Sequence, residues 1–305
     1  MRTVITRCTR LLLPLALLTA LAGCGDSPPA DSGVRHKPAP VPSGVPARAQ
    51  EVADAWNGSR AAEQWRQGYF PMGPVIQVPA GGFHNAADER AYLTQNFGVR
   101  GELPVEMPKT GEARWPDGAT LARPLITVRA AYESFAGTVN DDHRLIVTRV
   151  ELGEMTLESQ RGPVTVPAWL FGLKGYDTPL KRSALVPSKL PASPIAPLPR
   201  TGESELDQLD GVLDFSVDGR SMTARARHGA CDDGPRVAVL EHGGTVVLSA
   251  SVADATPGDL CTSQLLVESV QVKLERPLGD RVLLDAFTGL PVPYGEMHGW
   301  AKSWS

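Results

Sequence analysis

The chain has 305 residues, with 30 Lys and Arg against 34 Asp and Glu and a formal charge of −4. Its basic residues are scattered, which argues against the clustered cationic surface that phosphate-backbone binding requires, so nucleic acid is not an expected partner. Thirty glycines and 27 prolines among short Val- and Leu-rich runs point to a turn-rich, largely β protein, long enough for two domains with their own cores.

The first ten residues carry Arg2, Arg7 and Arg10 and no acid, and an apolar run from Leu11 to Ala22 follows, interrupted by Pro14. A permanent membrane-spanning helix needs roughly 20 apolar residues, so this shorter run reads as a signal peptide. It ends in Leu21-Ala22-Gly23-Cys24, which resembles the lipobox of secreted bacterial lipoproteins: a leucine, two small residues, then the cysteine that takes a diacylglyceryl group. The resemblance implies cleavage before Cys24, lipidation there, and a place on the extracytoplasmic face of the cell membrane. Two acyl chains, each contributing about 0.8 kcal/mol per buried methylene, suffice for stable anchoring where one is marginal. Cys8 falls in the leader, whose three arginines and lack of acids shift the formal charge to −7 on removal.

A polar stretch, 24–48, carries Pro28, Pro29, Pro38, Pro40, Pro42 and Pro46 and reads as an extended tether. With its Gly-, Ala- and Arg-heavy composition, the chain as a whole resembles lipoproteins of unknown function from high-GC Gram-positive bacteria; that likeness assigns no catalytic residue.

Val45 to Gly68 has the three- and four-residue spacings of a helix, or of two short helices broken at Asn57-Gly58 with Ser59 capping the second. A short strand is expected at Val75 to Val78 and a helix from Asn85 to Asn96, ended by Gly98. From Leu121 the period changes to two, predicting strands at Arg123 to Ala130, Leu145 to Glu158 and Val164 to Phe171, with Gly153 permitting a bulge or bend. After the five prolines of 187–200, strands are expected at Gly211 to Val217, Ser221 to His228, Arg236 to Leu240, Thr245 to Val252, Leu265 to Glu275 and Arg281 to Asp285. Asp218-Gly219 and Gly243-Gly244 supply the residues that tight hairpins need.

The expected fold class is therefore mainly β with short N-terminal helices (α+β), in two β-rich sandwich-like or meander modules. The boundaries run as leader 1–23, tether 24–48, β-rich domain 49–186, Pro-rich linker 187–200, all-β domain 201–290 and tail 291–305. Residues 145–172 and 265–289 share a long strand, a glycine turn and a strand closed by a small residue and an aromatic, which fits either duplication or two independent hairpins.

Outside the cytoplasm Cys231 and Cys261 form an expected disulfide, closing about 30 residues and contributing about 3 to 4 kcal/mol in the chain-entropy model. No HExxH, paired CxxC, GxSxG, GxGxxG or GxxxxGK[ST] pattern occurs, so no catalytic residue, cofactor or metal site is assigned. Asn140-Asp141-Asp142-His143, the densest polar cluster, reads as a solvated turn rather than a calcium loop. Trp300 and Trp304 form an aromatic pair in the tail, either docked on a domain or open to a partner. The expected function is an envelope-anchored lipoprotein with a binding or structural role, its partners the membrane through Cys24 and a cell-envelope protein or glycan. The alternative is a cell-wall or glycan hydrolase, which needs a carboxylate pair or a His with an acid.

Overall fold

The computed structural model describes residues 44–104, 109–137, 140–199, 205–252, 262 and 264–295. Cys8, Cys24, Cys261, Trp300 and Trp304 lie outside them. The protein is mainly β with few, short helices, its strands arranged in three sheets that form separate β-rich layers.

Helix α1 (Gly44–Trp56) and helix α2 (Arg60–Gln67) break where expected: Gly58 takes φ +69°, and the Ser59 hydroxyl accepts from Ala62 N at 3.1 Å. This satisfies an amide that a helix start leaves without a partner. Strand β1 (Ile76–Gln77), helix α3 (Ala86–Leu93) and strand β2 (Phe97–Val99) follow. Next come strands β3 (Thr110–Arg114) and β4 (Thr120–Pro124). The expected strand at 123–130 ends at Pro124; Thr127 instead caps helix α4 (Val128–Glu133), accepting from Ala130 N at 3.1 Å. The alternating apolar positions of 125–130 are here the start of a helix whose Val128 and Ala131 are buried.

Strands β5 (Leu145–Ser159) and β6 (Gly162–Leu173) form a long antiparallel hairpin, with β7 (Leu180–Ser183) beside β6. The register of β5 slips between Val147 and Arg149, not at Gly153, which pairs directly with Ala168. One extra residue reverses which side chains face which side. Leu145 and Val147 therefore face the core that α3 and α4 cover, whereas Met155 and Leu157 face the opposite core with Trp115 and Val164. Gly153 serves a different need, since a Cβ there would lie 2.5 Å from Leu170 Cδ1.

Strands β8 (Gly211–Phe215), β9 (Ser221–Gly229) and β12 (Leu265–Lys273) form one three-stranded sheet, ordered β12-β9-β8. Strands β10 (Pro235–His242), β11 (Thr245–Val252) and β13 (Val282–Asp285) form the other. The likeness between 145–172 and 265–289 does not extend to pairing: β5 and β6 make a hairpin, whereas β12 pairs β9 and β13 runs parallel to β11 in a different sheet. Seven consecutive residues of β11, Thr245 to Ser251, are buried because this layer is covered on both faces.

One cover is α1. Residues 40–305 form one compact unit, and within it Val52, Ala53 and Trp56 share a core with Leu248, Leu284 and Val292. Trp56 Nε1 donates to Gly289 O at 2.8 Å, and Arg48 donates to Ala286 O at 3.0 Å and to Ala196 O at 2.6 Å. The Pro-rich stretch after residue 187 is packed here: Leu190, Ile195 and Leu198 lie against that core, and Leu198 N donates to Phe287 O. The N-terminal helices thus belong to the core of the C-terminal sheets. Among the described residues no helix is long and apolar enough to cross a membrane.

The turn after β13 is organised by Asp285, which is buried and accepts from Thr288 Oγ1 at 2.8 Å and from the amides of Phe287 and Thr288. Burial pushes its carboxyl up to about 6, against those hydrogen bonds, which lower it. The folded protein therefore binds this proton more tightly than the unfolded chain does. Stability from this group is complete below the ordinary carboxylate range and is lost as pH rises through about 6. Asp285→Asn, which keeps an acceptor for Thr288, is expected to flatten the fall in stability between pH 4 and 6.5, measured by urea denaturation at stepped pH. An unchanged slope would show that Asp285 does not carry that proton.

Candidate functional site

A cleft of about 540 Å³ opens where the β5–β6 turn meets the C-terminal sheets. Its floor comes from the end of α2. Trp65 is buried there, its ring stacked on Phe70 with centroids 4.4 Å apart and planes 12° from parallel. Gly68 makes this stacking possible, because a Cβ there would lie 2.4 Å from Phe70 Cε2.

Gln160 fixes the floor to the near wall. Its amide group is buried; Nε2 donates to Trp65 O at 3.0 Å and Gly68 O at 2.7 Å, while Oε1 accepts from Phe70 N at 3.0 Å. Two of these partners are carbonyls at the C-terminal end of α2: Gly68 O, which the helix itself cannot satisfy, and Trp65 O, which accepts only a 3.3 Å bond from Gly68 N within the helix end. Backbone bonds from Gln160 N to Phe70 O and from Met72 N to Glu158 O extend the clasp. Ser159 Oγ accepts from Trp115 Nε1 at 3.1 Å and donates to Gly162 O at 2.7 Å.

The far wall is built around Arg281. Its side chain is buried beside Glu241, NH1 to Oε2 at 2.6 Å, and NH2 donates to Arg276 O and Pro277 O, both at 2.8 Å. Burial disfavours the Glu241 carboxylate, yet Arg281 and the Glu275 and Arg276 amides overcome that and hold its pKa below the ordinary value. The 275–281 loop is therefore wound around one neutralised cation. Leu278 N donates to Gly219 O, tying this loop to the β8–β9 turn, where Phe215 and Val217 line the cleft and Val217 is fully exposed.

Apolar groups thus form much of the walls, and most of the polar ones are engaged internally, the exposed Glu158 being the acid of the lining. Gln160 and Arg281 bond their surroundings, and Ser216 Oγ donates to Asp218 and Ser221. Among the described residues no pair of acids, and no His with an acid, lines this cleft. It is suited to hold an apolar or aromatic group, and it lacks the convergent acid and base of a hydrolase.

Three His–acid pairs occur elsewhere among the described residues: His228 Nε2 lies 3.2 Å from Glu268 Oε1 with the imidazole buried, His242 Nε2 lies 3.5 Å from Asp54 Oδ1, and the shortest joins His143 to Asp88. His143 Nε2 lies 2.6 Å from Asp88 Oδ1, and Asp88 Oδ2 accepts from Tyr176 OH at 2.7 Å and Asn85 Nδ2 at 2.9 Å. The His84 ring stacks on Tyr176 at 4.0 Å. Burial opposes the Asp88 charge, but the bonds from His143 and Tyr176 prevail and lower its pKa. His143 is half exposed, and among the described residues no hydroxyl or thiol hydrogen-bonds to it. The arrangement ties the start of α3 to the loop before β5 and the turn after β6. Asn140 Oδ1 of the expected polar cluster accepts from Asn96 Nδ2 at 2.7 Å and Asp142 N at 3.0 Å. Among the described residues no group of three His, Cys, Asp or Glu could hold a metal.

Of the other residues singled out by sequence, Cys231 is disulfide-bonded, and Cys261 lies outside the described residues, as do Cys24, Trp300 and Trp304. Trp115 carries Arg161 over its ring at 4.2 Å, and Trp169 Nε1 donates to Ile126 O at 3.0 Å. These tryptophans are packing elements. Nothing in the sequence marked the cleft; its one local signal is a polar Gln160 in a turn that already had Arg161-Gly162 to make it.

Gln160→Leu, of similar size, strands the Gly68 carbonyl and the Phe70 amide in the buried floor, at about 1 to 3 kcal/mol for each group left unsatisfied, while Trp65 O keeps its bond from Gly68 N. The expected result is a loss of about 2 kcal/mol or more in urea denaturation; a loss under about 1 kcal/mol would show that water replaces the clasp.

No family model matches the chain, and neither does any curated protein or solved structure.

Proposed function

We propose that this protein is an envelope lipoprotein, held to the membrane by lipid on Cys24, that binds an apolar group of a cell-envelope partner in the cleft between the β5–β6 turn and the β8–β9 turn. The observation that carries the binding reading is the cleft itself: a preorganised, largely apolar cavity in which Gln160 and Arg281 are already engaged within the protein and Glu158 is the exposed acid. The hydrolase alternative draws less support, because the His143–Asp88, His228–Glu268 and His242–Asp54 pairs all lie outside the described lining of the cleft. A disulfide between Cys231 and Cys261 would close the loop beside β9 and suit an extracytoplasmic site.

The cleft is tested with the neutral dye Nile red and the full chain without its leader. Val217→Asp combined with Phe215→Ser is expected to weaken dye binding about tenfold, equivalent to about 1.4 kcal/mol. Equal binding by the double variant, shown folded by circular dichroism, would remove the cleft as the ligand site.

The anchor is tested separately in cells. Cys24→Ser is expected to abolish the lipid increment in intact mass and to release the protein from membranes. Retention of both the mass and the membrane association would overturn the lipoprotein reading.

A further inference from the structure

The break between α1 and α2 holds a pair of residues that can react with each other. Asn57 is followed there by Gly58, whereas Asn85, Asn96 and Asn140 are followed by Ala86, Phe97 and Asp141. An asparagine side chain can close a succinimide ring with the amide nitrogen of the next residue, and a glycine, lacking Cβ, leaves that nitrogen unshielded.

The fold presents both reacting groups. Gly58 is exposed, a Cβ on it would meet nothing within 4 Å, and its amide makes no hydrogen bond among the described residues. The amides on either side are tied down: Asn57 N donates to Ala53 O at 2.9 Å, and Ser59 N to Trp56 O at 3.1 Å. The nucleophilic nitrogen is thus left free between two anchored ones.

The Asn57 carboxamide reaches the β10–β11 turn. Gly244 N donates to Asn57 Oδ1 at 3.2 Å, and Asn57 Nδ2 lies 3.5 Å from His242 O. Oδ1 is the atom that takes negative charge when Gly58 N adds to Cγ, so the Gly244 amide is aimed at the developing oxyanion. The leaving nitrogen, Nδ2, is held only by a contact at the limit of hydrogen-bonding distance.

We infer that Asn57-Gly58 is a site of self-modification, at which the folded chain deamidates itself. Gly58 N loses its proton to hydroxide and bonds to Asn57 Cγ. The Cγ–Nδ2 bond breaks, and ammonia leaves with a proton from water, which regenerates the hydroxide. Water then opens the succinimide at either carbonyl, leaving aspartate or isoaspartate at position 57. Both products lose the donor to His242 O and bring a negative charge to a turn whose His242 already lies 3.5 Å from Asp54. Isoaspartate also lengthens the backbone just ahead of α2, whose Trp65 forms the cleft floor.

The test uses the full chain without its leader, incubated at stepped pH in water enriched in heavy oxygen, beside a synthetic peptide of residues 52–62. Peptide mapping by mass spectrometry, with fragmentation that separates aspartate from isoaspartate, reads position 57. The expected result is a gain of about 3 Da at this position, from loss of the amide and uptake of the heavy oxygen. It should rise with pH, proceed at least as fast in the folded chain as in the peptide, and leave Asn85, Asn96 and Asn140 unchanged. No labelled product in the folded chain, or a rate below that of the peptide, would overturn the inference, because the fold would then protect the amide. The isoaspartate form, separated by ion exchange, is expected to unfold at lower urea concentration than the aspartate form; equal midpoints would overturn the consequence drawn for α2.

Discussion

The buried side chain of Gln160 holds together parts of the molecule that the chain lays down far apart. It sits at the tip of the β5–β6 hairpin, yet its three hydrogen bonds go to Trp65, Gly68 and Phe70. Helix α2 is packed into the core of the C-terminal sheets through Ala61, Ala62 and Trp65. By capping the carbonyl end of that helix, Gln160 joins the first sheet to the other two. A buried amide that meets its partners on both oxygen and nitrogen specifies one geometry, whereas an apolar contact of equal area tolerates sliding. The Trp65–Phe70 stack and the cleft floor follow from that geometry.

The same logic explains why the cleft stays open. Its near wall is fixed by Gln160 and Ser159, and its far wall by Arg281, whose guanidinium is surrounded by Glu241 and the carbonyls of 276–278. Removing either partner of that buried pair would leave an uncompensated charge, which costs far more than the pair contributes. Two rigid walls from different sheets cannot collapse onto each other, so apolar surface is left facing solvent at Phe215 and Val217.

Local chemistry was legible in the sequence, and long-range pairing was not. The break at Asn57-Gly58 with its Ser59 cap and the turns at Asp218-Gly219 and Gly243-Gly244 each follow from a few adjacent residues. Helix α4 was hidden because Pro124 to Ala130 alternates like a strand, and the deciding feature is the Thr127 cap together with burial of Val128 and Ala131 against the first sheet. The parallel pairing of β13 with β11 has no signature in either strand. Nor does composition reveal that a proline-rich stretch is packed: Leu190, Ile195 and Leu198 are partly buried because α1 and the turn after β13 meet there. The cleft belongs to this second class, since its walls come from residues 65–72, 158–163, 215–219 and 278–283.

How the cleft would hold the proposed ligand follows from the state of its polar groups. With Gln160, Arg281, Ser159 and Ser216 engaged inside the protein, a ligand gains little from new hydrogen bonds and most from apolar area, at about 25 cal/mol per Å². Such binding changes little with salt, since no free charge pair is formed, and it carries a negative heat-capacity change. Contacts of this kind are individually weak and gain from restriction of the partners to one surface. A lipid on Cys24 would supply that restriction, by holding the cleft at the membrane where an envelope ligand is concentrated, so that a modest affinity suffices. On the proposed reading, anchor and cleft would be two halves of one recognition event, the first confining the search and the second selecting an apolar group within it.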